Sequence, residues 1–533
     1  MTPAKTRSRR KKKLPVCTKK DLRTKKSKRR KCRVVKPKPK PTVPAVPPKP
    51  SPTGPVAAPP VTTPTPDAFP TAPAAEPTDG LRIYRGPFGV EQAQRMLFRA
   101  GFGPRPGQAE ALAAMGLRSA VDALLSPGPV RLDGPPPTGP FLVGGALAPG
   151  DRYGHLHLDL LDRQVRSTDQ LGERMVLVLH DWFAVSESAT DRRLMPVHLE
   201  LLRRAWRGSF RDLLLAVTQD PAMLQFLDST SNRQGAPNEN YARELMELYG
   251  LGADRGAYTE DDVREMARAL TGFRNDYSDQ LGPHNFRYDP SRHDPGVKTI
   301  FAGTPHERTG RLSWQDAVHA VVDHPLHASF VVLKTWSYFI PTQPTPETQR
   351  QLEALYRSGG ERLEPLLEAI LLHPDLHAGP AMVKPPVVFA AGMLRALGQG
   401  ITTDAWVGLL ASAGQHLGFP PNVAGWNDRA WLNTSTHSAR WAIVAEALRS
   451  RLATAAAYRG QTEAPSDAVE AALSFWGRPA VSVDHAAALR RVSQETWSPR
   501  AVGDTYGSLE NFLAHRQNAL RQLVGAAPDF QVS

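Results

Sequence analysis

The segment from Asn238 to Gly252, NENYARELMELYGLG, holds the densest group of reactive side chains in the chain. On a helix its polar residues form one arc opposite an apolar one, and they are Glu239, Asn240, Arg243, Glu244 and Glu247. Two carboxylates one turn apart, such as Glu244 and Glu247, could share a cation, or one could act as a general acid while the other stays ionised. The alternative is a structural brace through Arg243 and Asn240, because ion-pair networks collect the same residue types.

A second polar candidate is the loop RHDPGVKT, which contains His293, Asp294 and Lys298. Loops on a rigid scaffold often carry catalytic residues, so this loop is a candidate partner for the acidic helix face. No metal ligands are assigned, because HExxH is absent and no second histidine follows His293 within four residues. No cofactor is predicted by any motif in the chain.

The loop from Pro420 to Arg440 combines Trp426 and Trp431 with several amide and carboxylate side chains. Aromatic faces beside such groups suit a platform for a sugar or a peptide. The alternative is that the two indoles pack beneath a long loop. The predicted substrate-binding residues are therefore Asn240, Arg243, Lys298, Trp426 and Trp431. The predicted catalytic residues are Glu244, Glu247, His293 and Asp294.

His180 and Asp181 lie within an apolar helical segment, GERMVLVLHDWFAV. A lone histidine on such a helix is more often a buried core residue than a ligand or a base, so neither residue is assigned to the site. The chain also lacks GxSxG, the Walker loop and a GxGxxG after a strand. These absences exclude the common sequence signatures of serine hydrolases and nucleotide-binding folds.

Charge divides the chain of 533 residues into two parts. Residues 1–80 hold 21 Lys and Arg against 4 Asp and Glu, whereas the remainder holds 45 against 48. The net charge of +14 therefore comes from the tail, and the remainder has no electrostatic reason to bind nucleic acid. Both cysteines, Cys17 and Cys32, lie in the tail, which excludes cysteine chemistry elsewhere.

Composition predicts three regions. Residues 1–40 form a basic disordered arm, residues 41–80 form a Pro/Ala/Thr-rich linker, and residues 81–533 form one large domain. The arm is expected either to bind a polyanion, such as wall polymer, anionic lipid or nucleic acid, or only to aid solubility. No stretch suits a secretory signal or a transmembrane helix, so the compartment stays open between the cytoplasm and export.

Apolar periodicity from residue 89 onward predicts an all-α domain of packed helical hairpins. Three apolar helices run into Asp-Pro or His-Pro and then restart, which places Pro221, Pro325 and Pro374 at the first position of a helix. Minor β structure is predicted near residues 285–288 and 298–302. A final helix is predicted over residues 508–523.

Several segments of this chain resemble the bacterial DUF1800 family. They occur in the family's order and include RMLFRAGFGP, ERMVLVLHDWF, FRDLLLAVTQDPAMLQFLD, PNENYARELMELYGLG, YTEDDVREMARALTGF, HDPGVKT, MVKPPVVF and PPNVAGWNDRAWLN. The resemblance implies a mainly α-helical domain with no assigned activity, often exported and encoded beside DUF1501, a family of sulfatase-like appearance. Relatives tend to read His-Asn-His-Phe where this chain has His180 to Phe183, so that two-histidine metal site is not expected here.

Two functions follow as hypotheses. The first is a hydrolase-like enzyme that acts on an envelope or extracellular polymer through a carboxylate and histidine cleft. The second is a non-catalytic scaffold or carrier for a partner such as a DUF1501-type protein, in which the same residues brace loops.

Overall fold

The computed structural model describes residues 81–495 and 505–533. Its α-helices are α1 (Val90–Arg99), α2 (Gln108–Met115), α3 (Leu117–Leu125), α4 (His155–Arg166), α5 (Gln170–Trp182), α6 (Met195–Ala205), α7 (Phe210–Thr218), α8 (Pro221–Phe226), α9 (Asn240–Glu244), α10 (Glu260–Ala269), α11 (Trp314–Val322), α12 (Pro325–Ser337), α13 (Pro346–Ser358), α14 (Leu363–Leu372), α15 (Pro374–His377), α16 (Pro386–Ala396), α17 (Ala405–Ser412), α18 (Thr434–Leu448), α19 (Pro465–Phe475), α20 (Val483–Glu495) and α21 (Leu509–Ala526). These residues confirm the predicted all-α class. The predicted arm and linker, residues 1–80, lie outside them.

Two short antiparallel hairpins interrupt the helices. Strand β1 (Phe273–Ser278) pairs with β2 (Gly282–Tyr288), and β3 (Lys298–Ile300) pairs with β4 (Arg308–Gly310). The sequence predicts β2 and β3 but not their partners. Strand β1 shows no alternation of buried and exposed positions, because only its first residue is buried, and the usual strand signal is therefore missing.

The predicted helical hairpins are present. The three prolines are the first residues of α8, α12 and α15, where a missing N–H costs no helical hydrogen bond. The side chain before each proline accepts a backbone N–H of the helix that follows: Asp220, His324 and His373. This shared geometry explains why the three segments look alike although their spacing is irregular.

Helix α5 lies at the centre of the described residues. Every residue from Gln170 to His180 is buried, so the helix is covered on all sides by its neighbours, which include α4 and α6. Its end packs into an aromatic cluster, in which the ring of Phe183 lies 5.1 Å from Tyr249 and 6.0 Å from Phe210. The buried apolar surface fixes the position of α5 and of any polar group that it carries.

The acidic segment departs from the single predicted helix. Five residues of α-helix, α9, are followed by a π-helical turn over Leu245–Gly250. The predicted apolar arc is otherwise confirmed, since Tyr241, Ala242, Leu245, Met246 and Tyr249 are all buried. The wider π turn rotates the side chains that follow Glu244, which a regular helical wheel does not anticipate.

Candidate functional site

A cavity of about 340 Å³ lies between α5, α12 and the loop that precedes α18. We call it the Trp cavity. Six of the residues that line it have polar side chains and are central to the account below: Arg174, Asp181, Lys334, Tyr338, Trp426 and Trp431. Cavities of this size with a few convergent polar groups are typical of small-molecule sites.

Helix α5 supplies one wall of the Trp cavity. Arg174 and Asp181 are seven residues apart, which places both on the same face two turns from each other. Leu177 and Val178 fill the space between them on that face. The helix begins at a fixed point because the Asp169 carboxylate accepts the Gly172 N–H at 2.8 Å.

Helix α12 supplies a second wall. Lys334 and Ser337 lie on its last turn, and Tyr338 follows as its C-terminal cap. The Lys334 amine lies over the ring of Trp182 at 5.1 Å, which ties the side chain to the end of α5. The Tyr338 hydroxyl donates a 2.8 Å hydrogen bond to Oδ2 of Asp181.

The third wall is the loop that carries the two tryptophans. The backbone N–H of Trp426 donates to Oδ1 of Asp181 at 2.7 Å. The carbonyl of Trp431 accepts a 3.1 Å hydrogen bond from the buried Arg440. Asn433 caps α18 by accepting the N–H of Thr436 at 3.1 Å. The loop is therefore held at both tryptophans.

Burial determines the electrostatics of the site. Desolvation raises the pKa of Asp181 above its ordinary value, and the hydrogen bonds from Trp426 and Tyr338 only partly oppose this shift. Desolvation also lowers the pKa of Lys334 to about 8 and that of Arg174 to about 10. The cavity thus holds a carboxyl group and an amine that both exchange protons closer to neutral pH than usual.

Several donors around the Trp cavity have no acceptor. The buried Nε of Arg174 and the buried indole nitrogens of Trp426 and Trp431 lack hydrogen-bond partners. The Lys334 amine also has none among the described residues. The three sealed nitrogens are out of a ligand's reach, whereas the Lys334 amine is open to the cavity.

A second cavity, of about 350 Å³, borders Lys384, but its amine is already engaged. The Lys384 amine donates to the Phe530 carbonyl at 2.9 Å and lies 3.7 Å from the centre of the Phe98 ring. Lys384 thereby fixes residues 530–533 against the strand-like segment before α16. Its contacts indicate a structural role, in contrast to those of Lys334.

The predicted acidic cluster lies beside the first turn of α10. Arg243 binds Glu260 through hydrogen bonds of 2.7 and 2.8 Å and lies 3.4 Å from Glu239. Burial and repulsion by Glu247 raise the pKa of Glu244 to about 7. Among the described residues, the Glu247 carboxylate accepts a hydrogen bond only from the Tyr258 hydroxyl, at 3.5 Å, and Asn240 is exposed at the helix start.

The predicted loop cluster lies beside the last turn of α10. Asp294 binds Arg268 at 2.8 Å, and Nδ1 of His293 lies 3.1 Å from the Thr271 carbonyl. The Lys298 amine donates to the carbonyl of Asp294 at 2.6 Å and to that of Gly296 at 3.1 Å. Each of these polar groups has a structural partner.

No hydrogen bond or ion pair between described residues joins these two clusters. The partner of the first, Glu260, and the partner of the second, Arg268, are eight residues apart on α10, or roughly 12 Å along its axis. The expected convergence of Glu244 and Glu247 with His293 and Asp294 is therefore not seen in these contacts. Their catalytic assignment stays a prediction.

Trp426 and Trp431 both line the Trp cavity, and their assignment as a substrate platform stays a prediction. Arg174, Asp181 and Lys334 are not among the residues that the sequence pattern assigns to a site. The sequence feature that could have indicated them is a charged residue within an otherwise apolar helix. Two such residues lie seven positions apart on α5, and the third lies near the end of α12. A charged residue in a buried helix needs a partner or an open space. Asp181 has hydrogen-bond partners, and Arg174 and Lys334 border the cavity.

The described residues contain no group of three or more His, Cys, Asp or Glu side chains placed to hold a metal ion. Across the same ranges, no helix has the length and apolar character needed to cross a bilayer. A family model described as a protein of unknown function, DUF1800, matches residues 95–532. No curated protein and no solved structure matches the chain.

Proposed function

The chain belongs to the DUF1800 family, whose function is unknown, and we propose that it is a hydrolase-like enzyme with its active site in the Trp cavity. One observation carries this proposal. The carboxyl group of Asp181, with a raised pKa, faces the same cavity as the amine of Lys334 and two indoles. Perturbed titratable groups that converge in a cavity are typical of active sites.

Asp181 is suited to proton transfer. Its raised pKa allows the carboxyl group to hold a proton nearer neutral pH and to donate it to a leaving oxygen. A second carboxylate, Asp428, lines the same cavity, is exposed and makes no side-chain hydrogen bond within the described residues. In the proposed step, Asp428 accepts a proton from water as the water oxygen bonds to the anomeric carbon, the bond from that carbon to the leaving oxygen breaks, and Asp181 protonates that oxygen.

The tryptophans indicate the kind of substrate. Indole faces bind the apolar faces of sugar rings, and Trp426 and Trp431 form one wall beside the two carboxylates. A unit of an envelope or extracellular polysaccharide fits this combination of aromatic and acidic groups. Glu244, Glu247, His293 and Asp294 do not touch this cavity and are not needed for the proposed step.

The test is hydrolysis of a panel of fluorogenic glycosides and isolated cell-wall glycan by the full-length protein. Asp181→Asn keeps an oxygen to accept the Trp426 N–H, so the loop is expected to stay in place while proton transfer is lost. We expect turnover by the native protein and at least a hundredfold loss in Asp181→Asn and in Asp428→Asn. The proposal fails if no substrate turns over, or if both variants keep full activity with unchanged melting temperatures.

The alternative function is a non-catalytic scaffold or carrier. The ion pairs of Arg243 and Arg268 around α10 favour it, because they use several predicted site residues as braces. Its partner would be a DUF1501-type protein, with residues 1–40 bound to a polyanion. Co-purification of such a partner, together with the absence of turnover on every substrate of the panel, is the result that this alternative predicts.

A further inference from the structure

We infer that the ligand of the Trp cavity carries a compact oxyanion, a carboxylate or phosphate group, which binds between Lys334 and Arg174. The inference rests on the proposal that this cavity is the functional site, but it does not require hydrolysis. Its basis is that the amine of Lys334 and Nη1 of Arg174 border the cavity without a hydrogen-bond acceptor among the described residues.

Arg174 is the first donor. It is 3 % exposed, its Nη2 makes one long hydrogen bond of 3.3 Å to the Tyr338 carbonyl, and its Nη1 makes none among the described residues and is not sealed from the cavity. No carboxylate forms an ion pair with it within the described residues. A buried guanidinium usually has a planar acceptor such as a carboxylate or phosphate, which takes two parallel hydrogen bonds.

The two indoles contribute aromatic surface and no free donor. Trp426 is 8 % exposed, and its Nε1, like that of Trp431, makes no hydrogen bond but is sealed from solvent. A ligand in the cavity therefore meets the indole rings and not their N–H groups.

Lys334 supplies a further cationic donor. Its amine makes no hydrogen bond within the described residues and contacts the rings of Trp182 and Phe330 at 5.1 and 5.9 Å. The other lysines after residue 80, Lys298 and Lys384, both donate to backbone carbonyls. Lys334 is thus the lysine of this region whose amine is free to bind a ligand.

The acceptors in the walls are already occupied. Both oxygens of Asp181 accept hydrogen bonds, from Trp426 and Tyr338, and Oε1 of Gln415 accepts the Val387 N–H at 3.0 Å. The exposed carboxylate of Asp428 is the exception, and it would repel an anion from its own side of the cavity. Asp181 is within electrostatic reach of Arg174 and Lys334, and burial raises its pKa, which favours its uncharged form. The anionic group is therefore assigned to the side of Lys334 and Arg174, with Asp428 facing the uncharged part of the ligand.

These contacts, together with the indole wall, select an acidic sugar unit. The ring would stack on a tryptophan, and its carboxylate or phosphate would accept hydrogen bonds from the amine and the guanidinium. A neutral sugar would offer no opposite charge to these two cations, and it would therefore bind more weakly.

The test is calorimetric titration of the full-length protein with glucuronate, glucose 6-phosphate and glucose at about 150 mM salt, which screens the basic tail. We expect one or both anionic sugars to bind at least tenfold more tightly than glucose, and the better one identifies the anion. Lys334→Met should weaken that binding at least tenfold without changing glucose binding. The control Arg350→Gln removes one exposed charge on α13 and should change neither the affinity for the anionic sugar nor that for glucose.

Arg174→Lys is a second variant. It keeps the positive charge but removes the planar guanidinium that can form two parallel hydrogen bonds, so it should also weaken binding of the anionic sugar. Equal binding of glucose and both anionic sugars, or anion binding that survives both substitutions in folded protein, would overturn the inference. Failure of both anionic sugars to bind would overturn it as well. Binding that depends on Lys334 in a protein without hydrolytic activity would instead refute only the proposed hydrolysis.

Discussion

The backbone N–H of Trp426 donates a 2.7 Å hydrogen bond to Oδ1 of Asp181, a residue 245 positions earlier in the chain. This contact attaches the tryptophan loop to the central helix α5. Gly425 makes the approach possible, since it has a φ of +87° and lies directly against Asp181. The position of Trp426 in the indole wall therefore depends on this glycine and this carboxylate.

Gly425→Ala should destabilise the protein and displace the loop. A Cβ at this position would lie 2.3 Å from Oδ1 and 2.5 Å from the carbonyl oxygen of Asp181, and the φ is unfavourable for alanine. We expect a loss of more than about 1 kcal/mol in urea unfolding, with altered tryptophan fluorescence. The matched control is Gly408→Ala in the middle of α17, where a Cβ meets open space and alanine should add about 0.5–1 kcal/mol. Similar effects in the two variants would refute this account of Gly425.

Much of the fold follows from local sequence. Apolar periodicity and helix-starting prolines predict the hairpins, because those signals act within a few residues. The π-helical turn after Glu244 was not predictable, since it depends on how Tyr249 and Gly250 pack against distant helices. Gly250 lies so close to Val321 that a Cβ would be 2.2 Å from its side chain.

The candidate site was only half predictable. Trp426 and Trp431 were visible as aromatic residues in a polar loop. The local sequence around Asp181 predicts only an apolar core helix. It contains no sign that Tyr338 and Trp426, from distant segments, donate hydrogen bonds to the two carboxylate oxygens. Contacts between segments separated by more than a hundred residues are set by tertiary packing and leave no periodic signal.

Glu244→Gln should stabilise the protein at pH 8 but not at pH 5. Burial and Glu247 raise the pKa of Glu244 from 4.5 to about 7, so the folded state binds more protons than the unfolded state between these values. The stability of the native protein therefore falls as the pH rises through this window, and glutamine removes that loss. The melting temperatures of the variant and the native protein at both pH values measure this difference in stability. Glu347→Gln, at an exposed position, is the control. A lower melting temperature of Glu244→Gln at pH 8 would instead indicate that Glu244 is a brace.

Lys334 should react with acetic anhydride at a lower pH than ordinary lysines. Burial lowers its pKa to about 8, so about half of the amine is neutral at that pH, whereas an ordinary lysine reaches this point above pH 10. Competitive labelling followed by peptide mass spectrometry should give a midpoint near pH 8 for Lys334. Lysines of residues 1–40 provide the internal reference. A profile for Lys334 that coincides with theirs would contradict the burial effect.

Arg268→Gln should lower stability without affecting hydrolysis. The guanidinium joins Asp294 at 2.8 Å and Glu265 at 2.8 Å, and its loss leaves two carboxylates without their partner. We expect a loss of about 1 kcal/mol or more in urea unfolding. The exposed Arg350→Gln should stay within about 0.5 kcal/mol of the native protein. Loss of turnover in well-folded Arg268→Gln would place the chemistry at α10 instead of the Trp cavity.

The central claim is that chemistry takes place at Asp181 and not at the acidic helix face. The most direct measurement compares kcat for hydrolysis of one glycan substrate by Asp181→Asn and by the double variant Glu244→Gln, His293→Ala. The account predicts at least a hundredfold loss for the first and near-native kcat for the second. Near-native kcat in Asp181→Asn with loss in the double variant would contradict it.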